Sequence, residues 1–149
     1  MSDDLYHARL VQLARAAHGR GVLAPPRRFA TRDNPLCGDQ VTVEVRLAGG
    51  AVAAVAHRVK GCLLCQAAAS AIGHYAPGAA VADVRAVAAQ LRRMLREDGA
   101  LPEGLWPELA AFAPVRAYKS RHTCVLLPFE ALLDAVAGQN PWEEVILLP

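Results

Sequence analysis

Apolar and polar residues alternate most clearly just before the middle of the chain. Val41, Val43, Val45 and Leu47 interleave with Gln40, Thr42, Glu44 and Arg46, the period of two that marks a half-buried strand. Gly49-Gly50 then signals a tight turn, and Val52–Val59 returns as a second, Ala-diluted strand. Together these predict a β-hairpin over Gln40–Val59, with Arg28–Arg32 as a short edge strand. Helical spacing appears elsewhere. Leu5, Leu10, Leu13 and Ala17 form a stripe with Arg9 and Arg15 outward, predicting a first helix capped by Asp3 or Asp4 and running to about Gly19. Leu63–Tyr75 reads as a buried Ala-rich helix between Gly61 and Pro77-Gly78. Val84, Val87, Ala88, Leu91, Met94 and Leu95 line the inner face of a third helix, with Asp83 in its first turn and Asp98-Gly99 as its stop. The proline-punctuated run LPEGLWPELAAFAP holds one short helix. Pro128 suits the first turn of a last helix, which ends near Ala137 with Gly138 beyond it. In the tail, Gln139–Pro149, residues Trp142, Val145 and Ile146 are expected to pack back onto the domain.

Composition narrows the class. At 149 residues, 54% hydrophobic and 20% charged, the chain is expected to be one globular domain, 1–149, with an adequate core. A net charge of +2 and no run of Lys or Arg beyond two argue against a nucleic-acid partner. No apolar run approaches the roughly 18 residues of a membrane span, so no membrane partner is expected. The opening MSDDLYHARL lacks a secretory h-region, which makes the cytoplasm the expected compartment. Under reducing conditions the four cysteines read as metal or thiol chemistry before disulfides.

Three of those cysteines fall at the predicted ends of elements: Cys37 before the first clear strand, Cys62 between the second strand and a helix, Cys124 before the last helix. Gly38 lets Cys37 and Asp39 face one centre, and Cys62 at a helix N-terminus gains from the dipole. Arg121 and His122, beside Cys124, are placed to do the same for it. Three thiolates and a carboxylate suit a tetrahedral ion, and thiolates also suit iron–sulfur clusters. Spacing alone leaves a shared site and inert core thiols equally open. Cys62-Leu63-Leu64-Cys65 is also a C-x-x-C, so a thiol–disulfide protein using Cys62 and Cys65 is an alternative, although no βαβ unit accompanies it. His7, His18 and His74 read as surface groups, His57 as a packing residue within reach of the site, Trp106 and Trp142 as packing anchors. Arg85, Arg92, Arg93 and Arg96 read as a solvated helix face.

The runs NPLCGD (Asn34–Asp39), GCLLCQAAAS (Gly61–Ser70) and RHTC (Arg121–Cys124) resemble, in order, the three signature blocks of the SufU/IscU family of NifU-N-like iron–sulfur cluster assembly scaffolds. The resemblance runs from Leu5, Tyr6, Gly21, Val22 and Leu23 to Ala131-Leu132. It implies an α+β fold, a three-stranded antiparallel sheet with helices packed on it. It implies that Cys37, Asp39, Cys62 and Cys124 bind zinc or a transient [2Fe–2S] cluster. It also implies a SufS-like cysteine desulfurase partner that delivers persulfide sulfur, and downstream iron–sulfur assembly proteins as recipients. On this reading Cys37 is the sulfur acceptor, Arg121 steadies thiolate charge, and the chain is a carrier or scaffold, or a zinc-dependent sulfurtransferase, rather than a turnover enzyme. Arg121 three residues before Cys124, Thr123 directly before it, and the insertion-like Gly99–Ala113 favour the SufU-like branch. The chain departs from the family pattern twice. The approach to Cys62 reads His57-Arg-Val-Lys-Gly61, where family members have Phe and a glycine-rich turn, and Cys65 stands where many have Ser. Cys65 is then either a buried helix residue or an auxiliary thiol that receives sulfur or replaces Asp39.

Overall fold

A computed structural model describes residues 3–100 and 106–138. Helix α1 (Asp3–Ala16) leads into strands β1 (Arg28–Asn34), β2 (Asp39–Ala48) and β3 (Ala51–Lys60). Helices α2 (Leu63–Tyr75) and α3 (Val81–Arg96), a run of 3₁₀ turns (Pro107–Ala117) and helix α4 (Lys119–Ala137) follow. The strands form one antiparallel sheet in the order β1-β2-β3. The α+β expectation holds.

The hairpin lies where the alternation puts it. Ala48 pairs with Ala51, and Gly49 and Gly50, both with positive φ, supply the two-residue turn that strand twist favours. Val41, Val43 and Val45 are fully buried because their face carries the helices. α4 covers β1 and β2, α2 lies on β3, and α1 packs on α2. β1 runs two residues past Arg32, to Asn34. On the sheet's other face Glu44 is buried, but it is paid for by the Leu23 amide at 2.7 Å and the Arg58 guanidinium at 2.8 Å.

α2 keeps the predicted limits. Its Ala67, Ala68, Ala69 and Ala71 are fully buried, and their small side chains let the helix settle closely between α1 and the sheet. The closest approach is at Gly73, where a Cβ would fall 1.8 Å from the His18 carbonyl oxygen. All six predicted core positions of α3 are buried. Two boundaries differ. α1 stops at Ala16 because Ala17 turns to φ 46°. α4 begins nine residues earlier than Pro128, which sits inside the helix. An interior proline removes one hydrogen bond, from its own nitrogen to the carbonyl four residues back. Helix α4 has eleven buried residues, Phe129 and Leu132 among them, and that burial outweighs the loss. Gly138 closes it in the left-handed conformation (φ 69°, ψ 38°). The 3₁₀ turns contribute Leu109 and Phe112, from the insertion-like stretch, and Val115, just past it, to the core. Trp106 is buried between Tyr75 and Phe129. The expected packing of Trp142, Val145 and Ile146 lies outside the described residues. Among those described, no helix is long and apolar enough to cross a membrane.

Candidate metal centre

The turn between β1 and β2 is organised by Asn34. Its buried carbonyl accepts the amides of Cys37 (3.3 Å) and Gly38 (2.8 Å), and its side-chain Oδ1 accepts the Leu36 amide at 3.1 Å. Gly38 takes φ +74°, a conformation that favours glycine. The turn therefore swings Cys37 back over Asp39, and the Cys37 thiol lies 3.1 Å from Asp39 Oδ2. Cys37 is exposed, whereas Asp39 is buried.

Cys62 is the N-cap of α2. Its backbone amide, one of the helix's unpaired N–H groups, donates to Asp39 Oδ1 at 3.1 Å. One carboxylate oxygen is thus fixed by the helix start, and the other faces the thiols. Gly61 makes this possible, since a Cβ there would lie 2.8 Å from Asp39 Oδ1 and 3.2 Å from Cys65 Cβ. Gln66, one turn into α2, holds the same loop by donating from Nε2 to the Gly61 carbonyl at 2.9 Å.

Cys124 arrives from within α4, in its second turn, rather than from a loop before a helix. The side chain reaches the centre because this face of α4 looks toward the β1–β2 turn, and its thiol lies 3.7 Å from that of Cys37. Pro128 cannot donate to the Cys124 carbonyl four residues earlier. Burial and then the neighbouring Cys37 thiol push the Cys124 thiol up from its ordinary pKa.

One ligand atom each from Cys37, Asp39 and Cys124 lies within 4.8 Å of the others. Cys62 stands just outside this triangle, with its thiol 3.8 Å from Asp39 Oδ2. The geometry can be tested against a zinc tetrahedron. With Zn–S near 2.3 Å and Zn–O near 2.0 Å, the sulfur–sulfur edge is about 3.8 Å and the sulfur–oxygen edge about 3.5 Å. The observed 3.7 Å between Cys37 and Cys124, and the 3.1 and 3.8 Å from Asp39 to Cys37 and Cys62, bracket those edges. Cys37, Asp39 and Cys124 fit three corners of such a site, and Cys62 approaches the fourth from the Asp39 side.

Not every neighbour joins. His122 is buried and turns away, with Nε2 at 3.1 Å from the carbonyls of both Val115 and Arg116. It ties the 3₁₀ turns to α4 and is not available to polarise Cys124. A helical residue two before Cys124 leaves the helix on a different face. Arg121 is exposed and shares with Cys62 the wall of an apolar cavity of about 430 Å³, with Leu10, Leu63, Val115 and Tyr118. Cys65 is fully buried directly beneath the centre. Burial is the main cause of its raised thiol pKa, with the charges of Asp39, Cys62 and Cys37 adding to it. His57 is also buried, and its Nε2 bonds the His18 carbonyl at 2.6 Å rather than reaching the centre. Asn34, Gly61 and Gln66 were not among the expected site residues. The asparagine alone left a readable signal, because Asn before Pro favours a side-chain-to-backbone turn.

Comparison with known proteins bears on the family and the fold. The family profile described as the NifU-like N-terminal domain matches residues 5–125. The chain is 39% identical to the N-terminal NifU-like protein of Brucella abortus, whose crystal structure superimposes with a TM-score of 0.87 over 91% of this chain and 94% of that one. A protein from Fervidobacterium islandicum AW-1, described as a candidate iron–sulfur cluster assembly scaffold for the SUF system, shares the fold at 20% identity. Its TM-score is 0.82 over 91% of this chain and 99% of that one. The iron–sulfur cluster assembly scaffold protein IscU of Thermotoga maritima is 23% identical over 132 residues, which cover 89% of this chain and 92% of that protein. With the profile spanning most of the chain and all three cysteine blocks inside it, this protein belongs to the NifU-like N-terminal domain family.

Proposed function

We propose that this protein serves iron–sulfur cluster biogenesis as a sulfur acceptor, its thiols held ready around a zinc ion by Cys37, Asp39, Cys62 and Cys124. The observation that carries this reading is the gathering of the Cys37 and Cys124 thiols and the Asp39 carboxylate within 4.8 Å of one another, with the Cys62 thiol 3.8 Å from Asp39 Oδ2. When bound, zinc favours the thiolate over the thiol at its ligands. The chain's own residues do the rest. Cys37 is the exposed member of the set, so a partner's persulfide meets it first. Its thiolate attacks the outer sulfur of that persulfide, R–S–SH. A new S–S bond forms at Cys37, the partner's S–S bond breaks, and the partner's sulfur leaves as thiolate while the proton stays on the transferred sulfur. Arg121, exposed on the wall of the cavity that Cys62 also lines, would steady thiolate charge. This chemistry requires a persulfide donor, which a SufS-like cysteine desulfurase would supply, with downstream iron–sulfur assembly proteins as recipients.

The test is desulfurase-stimulated sulfide release together with persulfide labelling. Cys37→Ala is expected to abolish both while retaining the fold. Undiminished stimulation and labelling in that variant would overturn the assignment. A second reading, assembly of a labile [2Fe–2S] cluster as cargo on the same four residues, is favoured by the buried carboxylate among thiols, since oxygen is a poorer ligand for such clusters than sulfur. Anaerobic reconstitution that yields a chromophore stabilised by Asp39→Ala would favour it over zinc-held sulfur acceptance.

A further inference from the structure

The loop that carries Cys37 hangs on one residue. Asn34, the last residue of β1, pairs in register with Asp39, the first of β2, which leaves residues 35–38 as the connection. Pro35 has no N–H to place. The other three backbone donors of the loop all end on Asn34. The amides of Cys37 and Gly38 reach its carbonyl, and that of Leu36 reaches its side-chain Oδ1 at 3.1 Å. The tip of the loop otherwise stands clear. Leu36 is 97% exposed and Cys37 is exposed. Beyond its chain neighbours, no atom of the described residues lies within 4 Å of where a Cβ on Gly38 would sit.

These three bonds are not equivalent. A backbone carbonyl is present whatever residue occupies position 34. The Leu36 tether is an Asx turn, in which a short side-chain acceptor takes the amide two residues on, and it vanishes with the side chain. Cys37 follows Leu36 directly. Its thiol depends on that placement for its two contacts, 3.1 Å to Asp39 Oδ2 and 3.7 Å to the Cys124 thiol. We infer that Asn34 is a positioning residue for Cys37: by holding the Leu36 amide, its Oδ1 fixes the Cys37 thiol over Asp39 and Cys124. The consequence for sulfur transfer rests on the proposed role of Cys37 as acceptor; the placement of the thiol does not. An ordinary hydrogen bond shifts a local equilibrium about fivefold, which sets the size of the effect.

The test compares the full chain carrying Asn34→Ala or Asn34→Ser with the unsubstituted chain. Iodoacetamide alkylation of metal-free protein, mapped cysteine by cysteine by mass spectrometry, reads the thiol without any partner. In Asn34→Ala, Cys37 is expected to react about fivefold faster, because it leaves Asp39 more often, while the fully buried Cys65 keeps its rate. Serine supplies a hydroxyl acceptor for the same turn and is expected to bring Cys37 back to within about twofold of the unsubstituted chain. In zinc-loaded Asn34→Ala, desulfurase-stimulated sulfide release is expected to lose about fivefold in kcat, with KM for the desulfurase unchanged. An unchanged Cys37 alkylation rate in Asn34→Ala, Cys65 accelerated alongside Cys37 as in a general loosening of the fold, or no recovery in Asn34→Ser would each overturn the positioning role. Faster alkylation of Cys37 with undiminished sulfide release would uphold that role and count instead against Cys37 as the sulfur acceptor.

Discussion

Substituting Gly61 by alanine would strike the centre without touching any of its four donors. The added Cβ would sit 2.8 Å from Asp39 Oδ1, 3.0 Å from Asp39 Cγ and 3.2 Å from Cys65 Cβ. A carboxylate on a free side chain would simply swing aside. This one is 3% exposed, and its Oδ1 is pinned by the Cys62 amide at 3.1 Å. The opposite wall is the Cβ of a fully buried cysteine. The carboxylate must therefore shift, and the Cys62 N–H bond to it is lost. A hydrogen bond to a charged acceptor is worth about 1.5–3 kcal/mol, and this sets the expected loss of stability of metal-free protein in urea titrations. Because Oδ2 moves with Oδ1, the donor set opens as well. Disturbing a group that orients metal ligands typically weakens affinity about 10–100-fold, or about 1.4–2.7 kcal/mol. Competition against a chromophoric chelator reads the zinc Kd directly. Unchanged Kd and unchanged urea midpoint in Gly61→Ala would refute the placement of Asp39 against the Cys62 loop.

Other consequences are open to direct measurement. In Gly73→Ala the new Cβ would meet the His18 carbonyl at 1.8 Å, so the loop after α1 must move off α2; overpacking of this kind costs about 1–3 kcal/mol or more, and calorimetry is expected to show a lowered Tm. Phe112→Ala empties a fully buried site in the 3₁₀ turns, with an expected loss of about 3–5 kcal/mol in denaturant titration. Alkaline pH should destabilise metal-free protein. The Cys65 and Cys124 thiols are raised from the ordinary 9.0, so above about pH 9 the unfolded chain releases protons that the folded chain keeps, and stability falls as pH rises. Each such thiol contributes a slope of about 1.4 kcal/mol per pH unit, and Cys65→Ala should flatten the measured profile by one thiol's share.

Sequence pattern carried most where one periodicity served one purpose. Val41, Val43 and Val45 had a single face to bury, so the hairpin and its Gly49-Gly50 turn were legible to within a residue, and so was α2 between Gly61 and Pro77. Spacing alone left Cys37, Asp39, Cys62 and Cys124 open between a shared site and core thiols, and it was the resemblance of the three cysteine blocks that singled them out. The start of α4 left no local mark. Pro128 mimics an N-terminal signal, and only the surrounding burial, a tertiary effect, tells an interior proline from a first-turn one. That misplaced Cys124 onto a loop and let His122 look available, although helix geometry sends the two side chains apart. The 3₁₀ turns were foreseen only as one short helix, and the three-residue spacing of Leu109, Phe112 and Val115 fits the tighter 3₁₀ repeat rather than the α-helical one. Asp39's hold on the Cys62 amide, and Gln66's on Gly61, join residues whose proximity no local pattern encodes.

The claim beneath all of this is that three thiols and one carboxylate share a single ion. X-ray absorption at the zinc edge of loaded, purified protein measures it most directly. The account predicts three sulfur scatterers at about 2.3 Å and one oxygen at about 2.0–2.2 Å, with one sulfur lost in Cys62→Ser. Fewer than three sulfurs in the unsubstituted protein, or a sulfur count untouched by Cys62→Ser, would contradict it.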